Sequence, residues 1–291
     1  MAPCLTLRSA STTSGWCGAV PDAPQRLDDV RAFMFDIDGT LLHRGSDGRG
    51  RPQPGAVEVL GRIRASGRKL VLFTNASHVP SALVAHGLRE DGLAVTDDEL
   101  LTPVDSATEW LSLHPEHQPV HVFASYAVRG YMVQAGIRLT DGEDAGAVFV
   151  AHLQDVPLDE VERAARAVTR GAPLFTGSYV RGYAGAHGII YSRGAMITAA
   201  IAKVSGGRPR VLGKPSRAAV AALQGRLGVP SREMAVIGDD LGMDVALGKL
   251  GGSRTVLVRS GISGAIDLDT VPEKRRPDVT IDRVHDLLDL L

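Results

Sequence analysis

Asp36 and Asp38 place two carboxylates at the end of an apolar run, in the stretch RAFMFDIDGTLL (Arg31 to Leu42), with Gly39 directly after them. Residues two apart on a strand point to the same face, so the pair starts out close together unless the strand twists or ends between them. Asp239 follows another apolar run, MAVIG, and Thr74 and Asn75 follow LVLF. In parallel α/β sheets, ligands sit outside the carboxyl ends of the strands. Polar side chains of catalytic type therefore stand at the ends of three separate buried strands.

Clustered carboxylates repel one another and raise each other's pKa, and a hard divalent cation removes that conflict. Mg²⁺ takes oxygen ligands and keeps waters or phosphate oxygens in its shell. Asp36, Asp239 and a backbone carbonyl near Asp38 suit it, and Lys214, in GKPS just before a helix start, adds balancing charge. A helix N-terminus itself favours an anion. Taken singly, each residue has a plainer reading. A lone Asp or Thr-Asn after a strand is a turn or cap, Lys214 a solvated lysine, and Asp244 a favourable charge at a helix start. The plain readings weaken together, because all of these residues fall on one predicted sheet edge.

The elements that must position them alternate. Ala32 to Ile37 reads as a buried strand, Gly55 to Gly67 as a helix, and Lys69 to Asn75 as a second buried strand. SALVAHGL and DDELLTPVDSATEWLSL read as wholly or partly helical. A second set follows: strands at Val120 to Ser125 and Ala147 to His152, helices at Ala127 to Ala135 and Leu158 to Arg170, a strand near PLFTG and a short one at GIIYS. A helix at Gly194 to Gly206 ends the set. The third set has a helix from Pro215, at its first position, to Gly228, a strand at Glu233 to Asp239, a helix in GMDVALGKLG, a strand in RTVLVRSG, and a closing strand and helix. Near-continuous apolar strands separated by helices imply a doubly wound parallel sheet covered on both faces.

The 291 residues suffice for one large domain or two small ones. With 32 basic and 33 acidic side chains, the chain lacks the surplus of positive charge expected of a nucleic-acid or anionic-membrane binder. No apolar run approaches the ~18 residues that span a bilayer. Cys4 and Cys17 both lie near the N-terminus, too few for a disulfide framework or zinc site, and a reducing, cytoplasmic setting fits best. Residues 1–27, rich in Ser, Thr, Ala, Gly and Pro, have no signal-peptide-like apolar segment and read as a poorly ordered extension, with Trp16 as an anchor if it docks.

DIDGTL, FTNAS, GKPS and IGDDLGMD occur in the order and spacing of the haloacid dehalogenase (HAD) superfamily of phosphohydrolases, the first matching its Asp-x-Asp-Gly-Thr signature. The long stretch between TNAS and GKPS resembles the α/β cap (type IIA) of the NagD-like, 4-nitrophenylphosphatase-like subfamily. The resemblance covers roughly Asp28 to Leu291 and implies an HAD-like core at 28–116 and 209–291 with a smaller α/β cap inserted at 117–208. It implies that Asp36 is the nucleophile and Asp38 the general acid and base. Gly39, Thr74 and Asn75 would surround the phosphoryl group, with Thr74 and the Asn75 backbone holding its oxygens. Lys214 would neutralise charge on Asp36 and the phosphoryl group. Mg²⁺ would be bound by Asp36, Asp239 and the Asp38 carbonyl, with Asp244 orienting Lys214 or the metal's waters and Asp240 a less certain member of the acidic set. Capped relatives commonly dimerise through the cap, so a homodimer is an expectation.

The family's Thr-Asn-Pro-Asp segment, late in the cap, corresponds here to FTGSYVRGYAGAHG (Phe175 to Gly188), which lacks the Asn and the Asp. Specificity drawn from better-known members therefore does not transfer. The stretch offers Tyr179, Arg181, Tyr183 and His187; Arg181 suits a second acidic group on a substrate, whereas His187 reads as structural or exposed. His43 to Gln53 is a polar, glycine-rich loop where the family has a small flap. The implied function is a Mg²⁺-dependent phosphatase of small-molecule phosphate monoesters, acting through an aspartyl-phosphate. The alternatives are a phosphotransferase and a phosphate-binding or signalling domain phosphorylated on Asp36 without turnover. No G-x-G-x-x-G follows the first strand and no G-x-x-x-x-G-K-[ST] occurs, which excludes the common nucleotide-binding motifs.

Overall fold

The computed structural model describes residues 26–45, 49–185 and 188–291, with the side chains of 183–189 left out. The predicted N-terminal extension lies, for residues 1–25, outside the described residues. Leu27 is fully buried, and its N–H donates to the Leu290 carbonyl at 2.8 Å.

The chain opens with β1 (Ala32–Phe35), the hairpin β2 (Leu42–Arg44) and β3 (Gly50–Pro52), α1 (Ala56–Ala65), β4 (Lys69–Phe73), α2 (Ser81–Glu90), β5 (Leu100–Leu101) and α3 (Pro103–Leu113). It continues through β6 (Val120–Phe123), α4 (Tyr126–Gln134), β7 (Leu139–Thr140), β8 (Ala147–Val150), α5 (Leu158–Thr169), β9 (Leu174–Thr176), the hairpin β10 (Gly182–Gly185) and β11 (Gly188–Tyr191), α6 (Arg193–Ser205) and β12 (Arg210–Val211). It returns through α7 (Arg217–Leu227), β13 (Met234–Gly238), α8 (Ala246–Gly251), β14 (Arg254–Val258) and β15 (Val279–Ile281).

Two parallel sheets result. The larger has the order β15-β14-β13-β1-β4-β5, and the smaller, inserted in the chain between β5 and β13, draws only on residues 120–211, in the order β12-β9-β8-β6-β7. The all-buried strands AFMF, MAVIG and VHVF explain this: apolar side chains on both faces need cover on both faces. On the larger sheet, Phe33, Phe35 and Leu72 pack with α1, α2 and the closing segment around Leu287, while Met34, Val71 and Val236 pack with α7 and α8. On the smaller sheet, Val120, Val122 and Phe149 pack under α3 and α4, and Phe123, Val148 and Val150 under α5 and α6. This is a doubly wound α/β core carrying a smaller α/β cap.

Four elements differ from the sequence expectation. β1 stops at Phe35 instead of Ile37, because Gly39 turns the chain at φ +90°, although the Asp36 N–H still donates to the Ile237 carbonyl at 2.8 Å. β5 lies in a stretch predicted as helical; it is only two residues long, below what alternation can reveal. α7 begins at Arg217, with the Ser216 hydroxyl accepting from the Ala219 N–H, so Pro215 stands ahead of the cap and not in the first turn. Leu241–Val245 is a wide π-turn that leads into α8.

Candidate active site

Asp36 is the first residue beyond β1, Thr74 the first beyond β4 and Asp239 the first beyond β13. β1 lies between β4 and β13, in a register that sets Phe35 beside Leu72 and Ile237, so the three strand ends open on one edge. Lys214 arrives on the segment between β12 and α7, and Asp244 on the π-turn after β13.

These elements converge on Lys214, whose side chain is 1% exposed. Its Nζ donates to Asp36 Oδ1 at 2.6 Å and to Asp244 Oδ1 at 2.7 Å, and lies 5.6 Å from the centroid of the Phe73 ring. The other Asp244 oxygen accepts from the Asp240 N–H at 3.2 Å, so both of its oxygens are engaged in holding the lysine and the turn. Asp239 Oδ2 accepts from the Ile262 N–H at 2.7 Å. Gly39 passes so close that a Cβ there would lie 2.4 Å from Asp239 Oδ2, and its positive φ disfavours any other residue.

Burial pushes the Asp36 carboxyl up to about 6, against the pull of Lys214 and with a further rise from Asp239. Burial likewise raises Asp239 to about 6, opposed by the Ile262 N–H, and Asp244 to about 7, opposed by Lys214. For Lys214, burial works to lower the pKa, but Asp244 and Asp36 outweigh it and hold the ammonium above the ordinary lysine value. Three buried carboxylates against one ammonium leave an excess of negative charge. Asp36, Asp239 and Asp244 each offer an oxygen within 4.8 Å of the others. Oxygen-only donors with uncompensated charge fit a hard divalent cation, which Asp36 and Asp239 would hold from their side chains while Asp244 stays on the lysine.

Asp38 is exposed, and its Oδ1 accepts from Arg44 Nε of β2 at 2.7 Å. Thr74 is buried, its hydroxyl accepting from the Ala76 N–H at 3.1 Å. Asn75 Oδ1 accepts from the Lys214 N–H at 3.3 Å, fixing the lysine segment to the end of β4. Asp240 caps the π-turn, its Oδ1 accepting from the Gly242 N–H at 2.6 Å. Arg181 is exposed beyond β9, and among the described residues no side-chain partner joins it to this cluster. His187 and the Tyr183 side chain lie outside the described residues.

Three participants were missed by the sequence reading: Arg44 on Asp38, the Ile262 N–H on Asp239, and Ser125, whose hydroxyl donates to the His78 carbonyl at 2.9 Å and ties the smaller sheet to the TNAS segment. The Ile262 contact had a usable signal. RSGIS follows the buried strand RTVLV on the same edge, and a glycine there permits close approach.

Residues 33–138 match the haloacid dehalogenase-like hydrolase family, and residues 211–287 match a second HAD-hydrolase-like family. The chain is 29% identical over 246 residues to ribonucleotide monophosphatase NagD of Escherichia coli K12, spanning 84% of this chain and 93% of NagD. It is 26% identical to the chloroplastic phosphoglycolate phosphatase 1A of Arabidopsis thaliana, across 92% of this chain and 79% of that one. The solved E. coli NagD structure superimposes with a TM-score of 0.79 at 28% identity, covering 90% of this chain and 99% of NagD. The p-nitrophenyl phosphatase of Archaeoglobus fulgidus does so with a TM-score of 0.79 at 26% identity, covering 92% and 100%. With its two-sheet architecture and its strand-end carboxylates, the chain belongs to the haloacid dehalogenase-like hydrolases, in the NagD-like branch.

Proposed function

We propose that this HAD-type phosphoric monoester hydrolase is a Mg²⁺-dependent phosphatase of small phosphorylated metabolites that works through a phosphoryl group carried on Asp36. The observation that carries the proposal is the buried Lys214 bridging Asp36 and Asp244, with Asp239 beside them. NagD and the plant relative are named for ribonucleotide and phosphoglycolate substrates, which supports a small monoester as the substrate class.

Asp36 attacks phosphorus, and the bond from phosphorus to the leaving oxygen breaks. Asp38 protonates that oxygen as it leaves, after turning from Arg44 toward the ester. A water then attacks the phosphorus of the aspartyl-phosphate while Asp38 takes up its proton, which releases phosphate and restores Asp36. Lys214 offsets the repulsion between the Asp36 carboxylate and the incoming dianion, and Thr74 with the Asn75 backbone holds phosphoryl oxygens. A bound Mg²⁺ would supply further neutralising charge to an otherwise electronegative pocket.

The test is hydrolysis of 4-nitrophenyl phosphate by the metal-stripped protein with and without Mg²⁺, alongside Asp36→Asn. The expected result is Mg²⁺-dependent turnover that Asp36→Asn abolishes. Metal-independent turnover, or an active Asp36→Asn enzyme, overturns the proposal. A panel of phosphorylated metabolites ranked by kcat/KM then identifies the leaving group.

A further inference from the structure

The smaller sheet holds a second cluster of potential ligands. His121 lies on β6, Asp141 directly after β7, and Glu160 in the first turn of α5. One ligand atom from each lies within 4.8 Å of the others. His121 is fully buried, its ring stacked on Phe123 at 5.0 Å between centroids and 11° between planes. Neither ring nitrogen has a hydrogen-bond partner among the described residues. A buried imidazole with both nitrogens unsatisfied is rare in folded proteins, because each unmet polar atom carries a desolvation cost.

Nε2 of that ring lies 3.5 Å from Glu160 Oε1. The separation is long for a hydrogen bond, but it matches two ligands that share one ion: donors ~2.0–2.1 Å from a tetrahedral metal stand about 3.3 Å apart. Asp141 is exposed, at the solvent side of this pair. Arg129 Nη2 donates to one of its carboxylate oxygens at 2.8 Å and leaves the other. Arg163 pairs with Asp159 at 2.7 Å and reaches Asp141 at its backbone carbonyl, at 3.1 Å.

We propose that His121, Asp141 and Glu160 form a binding site for a first-row divalent transition ion, with Zn²⁺ as its representative. One imidazole nitrogen and two carboxylates suit such an ion, whereas Mg²⁺ prefers all-oxygen sets such as the strand-end cluster. With three protein ligands, the remaining coordination position falls to solvent. The ion ties β7, an edge strand paired through only two residues, to the first turn of α5 and so braces the cap.

The experiment is calorimetric titration of Zn²⁺ into the full-length, metal-stripped protein in excess Mg²⁺, with melting followed in parallel. Three variants separate the possibilities. Asp239→Asn, which disables the strand-end cluster, retains one equivalent of Zn²⁺ and a zinc-dependent rise in Tm. Glu160→Gln, at a partly exposed helix position where folding is not at risk, weakens that equivalent by at least about 100-fold, more than the 10–100-fold that loss of an outer hydrogen-bond partner costs. His121→Phe keeps the stack on Phe123 and loses the zinc response. Zinc binding that is equal in wild type and Glu160→Gln overturns the proposal, because the ion then sits elsewhere, for example on Cys4 and Cys17. Absence of the equivalent in Asp239→Asn also overturns it. Neither result bears on the phosphatase reading, which the Mg²⁺ assay tests separately.

Discussion

Lys214 Nζ lies 2.6 Å from Asp36 and 2.7 Å from Asp244, in a side chain that is 1% exposed. A buried ammonium held by two carboxylates is fixed in position before substrate arrives, and in the proposed mechanism it offsets charge on the phosphoryl group with no reorganisation. Removing it leaves two buried carboxylates without a counter-charge. Lys214→Met is expected to lose at least ~1,000-fold in kcat/KM and about 3 kcal/mol in stability, since breaking a buried pair costs ~3–5 kcal/mol. Urea unfolding in parallel with the activity assay checks both. Lys214→Arg is expected to fail as well, because the planar guanidinium does not fit a site built for a point charge.

Asp239 behaves differently. Its carboxylate adds to an excess of buried negative charge, which in the proposed mechanism a bound cation offsets. Asp239→Asn keeps an oxygen to accept from the Ile262 N–H while removing the repulsion. The metal-stripped variant is expected to be more stable than wild type by about 0.5–2 kcal/mol, and to lose both activity and the Mg²⁺-induced rise in Tm. Thermal melts with and without Mg²⁺ test this, and a destabilised metal-free variant would count against the charge argument.

Asp38→Asn separates leaving groups. A nitrophenolate departs without a proton, whereas an alkoxide needs one. The substitution is expected to reduce turnover of an alkyl phosphate by a further ~10–100-fold beyond its effect on 4-nitrophenyl phosphate, within the ~100–10,000-fold range of general acid catalysis. Equal losses on the two esters would remove Asp38 from the acid role.

The larger sheet carries its own pH dependence. Burial works to raise the Glu99 carboxyl, but its hydrogen bonds from Arg64 and from the Thr96 N–H outweigh that and hold it below the usual carboxylate range. A depressed folded-state value means that the contribution is present above the unfolded-state value and is lost as pH falls through the folded-state value. With Arg64 34% exposed at its side chain, solvent screening limits the effect to about 0.5–1 kcal/mol. Urea midpoints of wild type and Glu99→Gln should differ at pH 7 and converge only below the ordinary glutamate pKa of about 4.3, as Glu99 protonates in the folded state. A difference that persists there would assign the loss to packing.

Much of this was legible in the residues. Asp36, Thr74 and Asp239 each follow a run of strand formers buried on both faces, and such runs end where ligands bind, so the shared edge followed from sequence. The long-range pairings did not. Nothing in GKPS says that Lys214 is buried, since an isolated lysine is a surface residue by default; only the meeting of β1, the π-turn and the loop before α7 encloses it. Arg44 is invisible for the same reason, lying on a three-residue strand whose pairing depends on a turn. The two residues of β5 carry no period at all. His121 alternates correctly as an inward residue of β6, but its partners come from an edge strand and a helix start that share no local pattern with it.

The central proposal is a covalent phosphoryl group at Asp36. The direct test is acid quenching of the wild-type enzyme during steady-state turnover, followed by peptide mapping by mass spectrometry. The predicted result is one phosphoryl group, labile to hydroxylamine, on the peptide that contains Asp36. Turnover with no phosphorylated peptide, or with the group on any other residue, would contradict it.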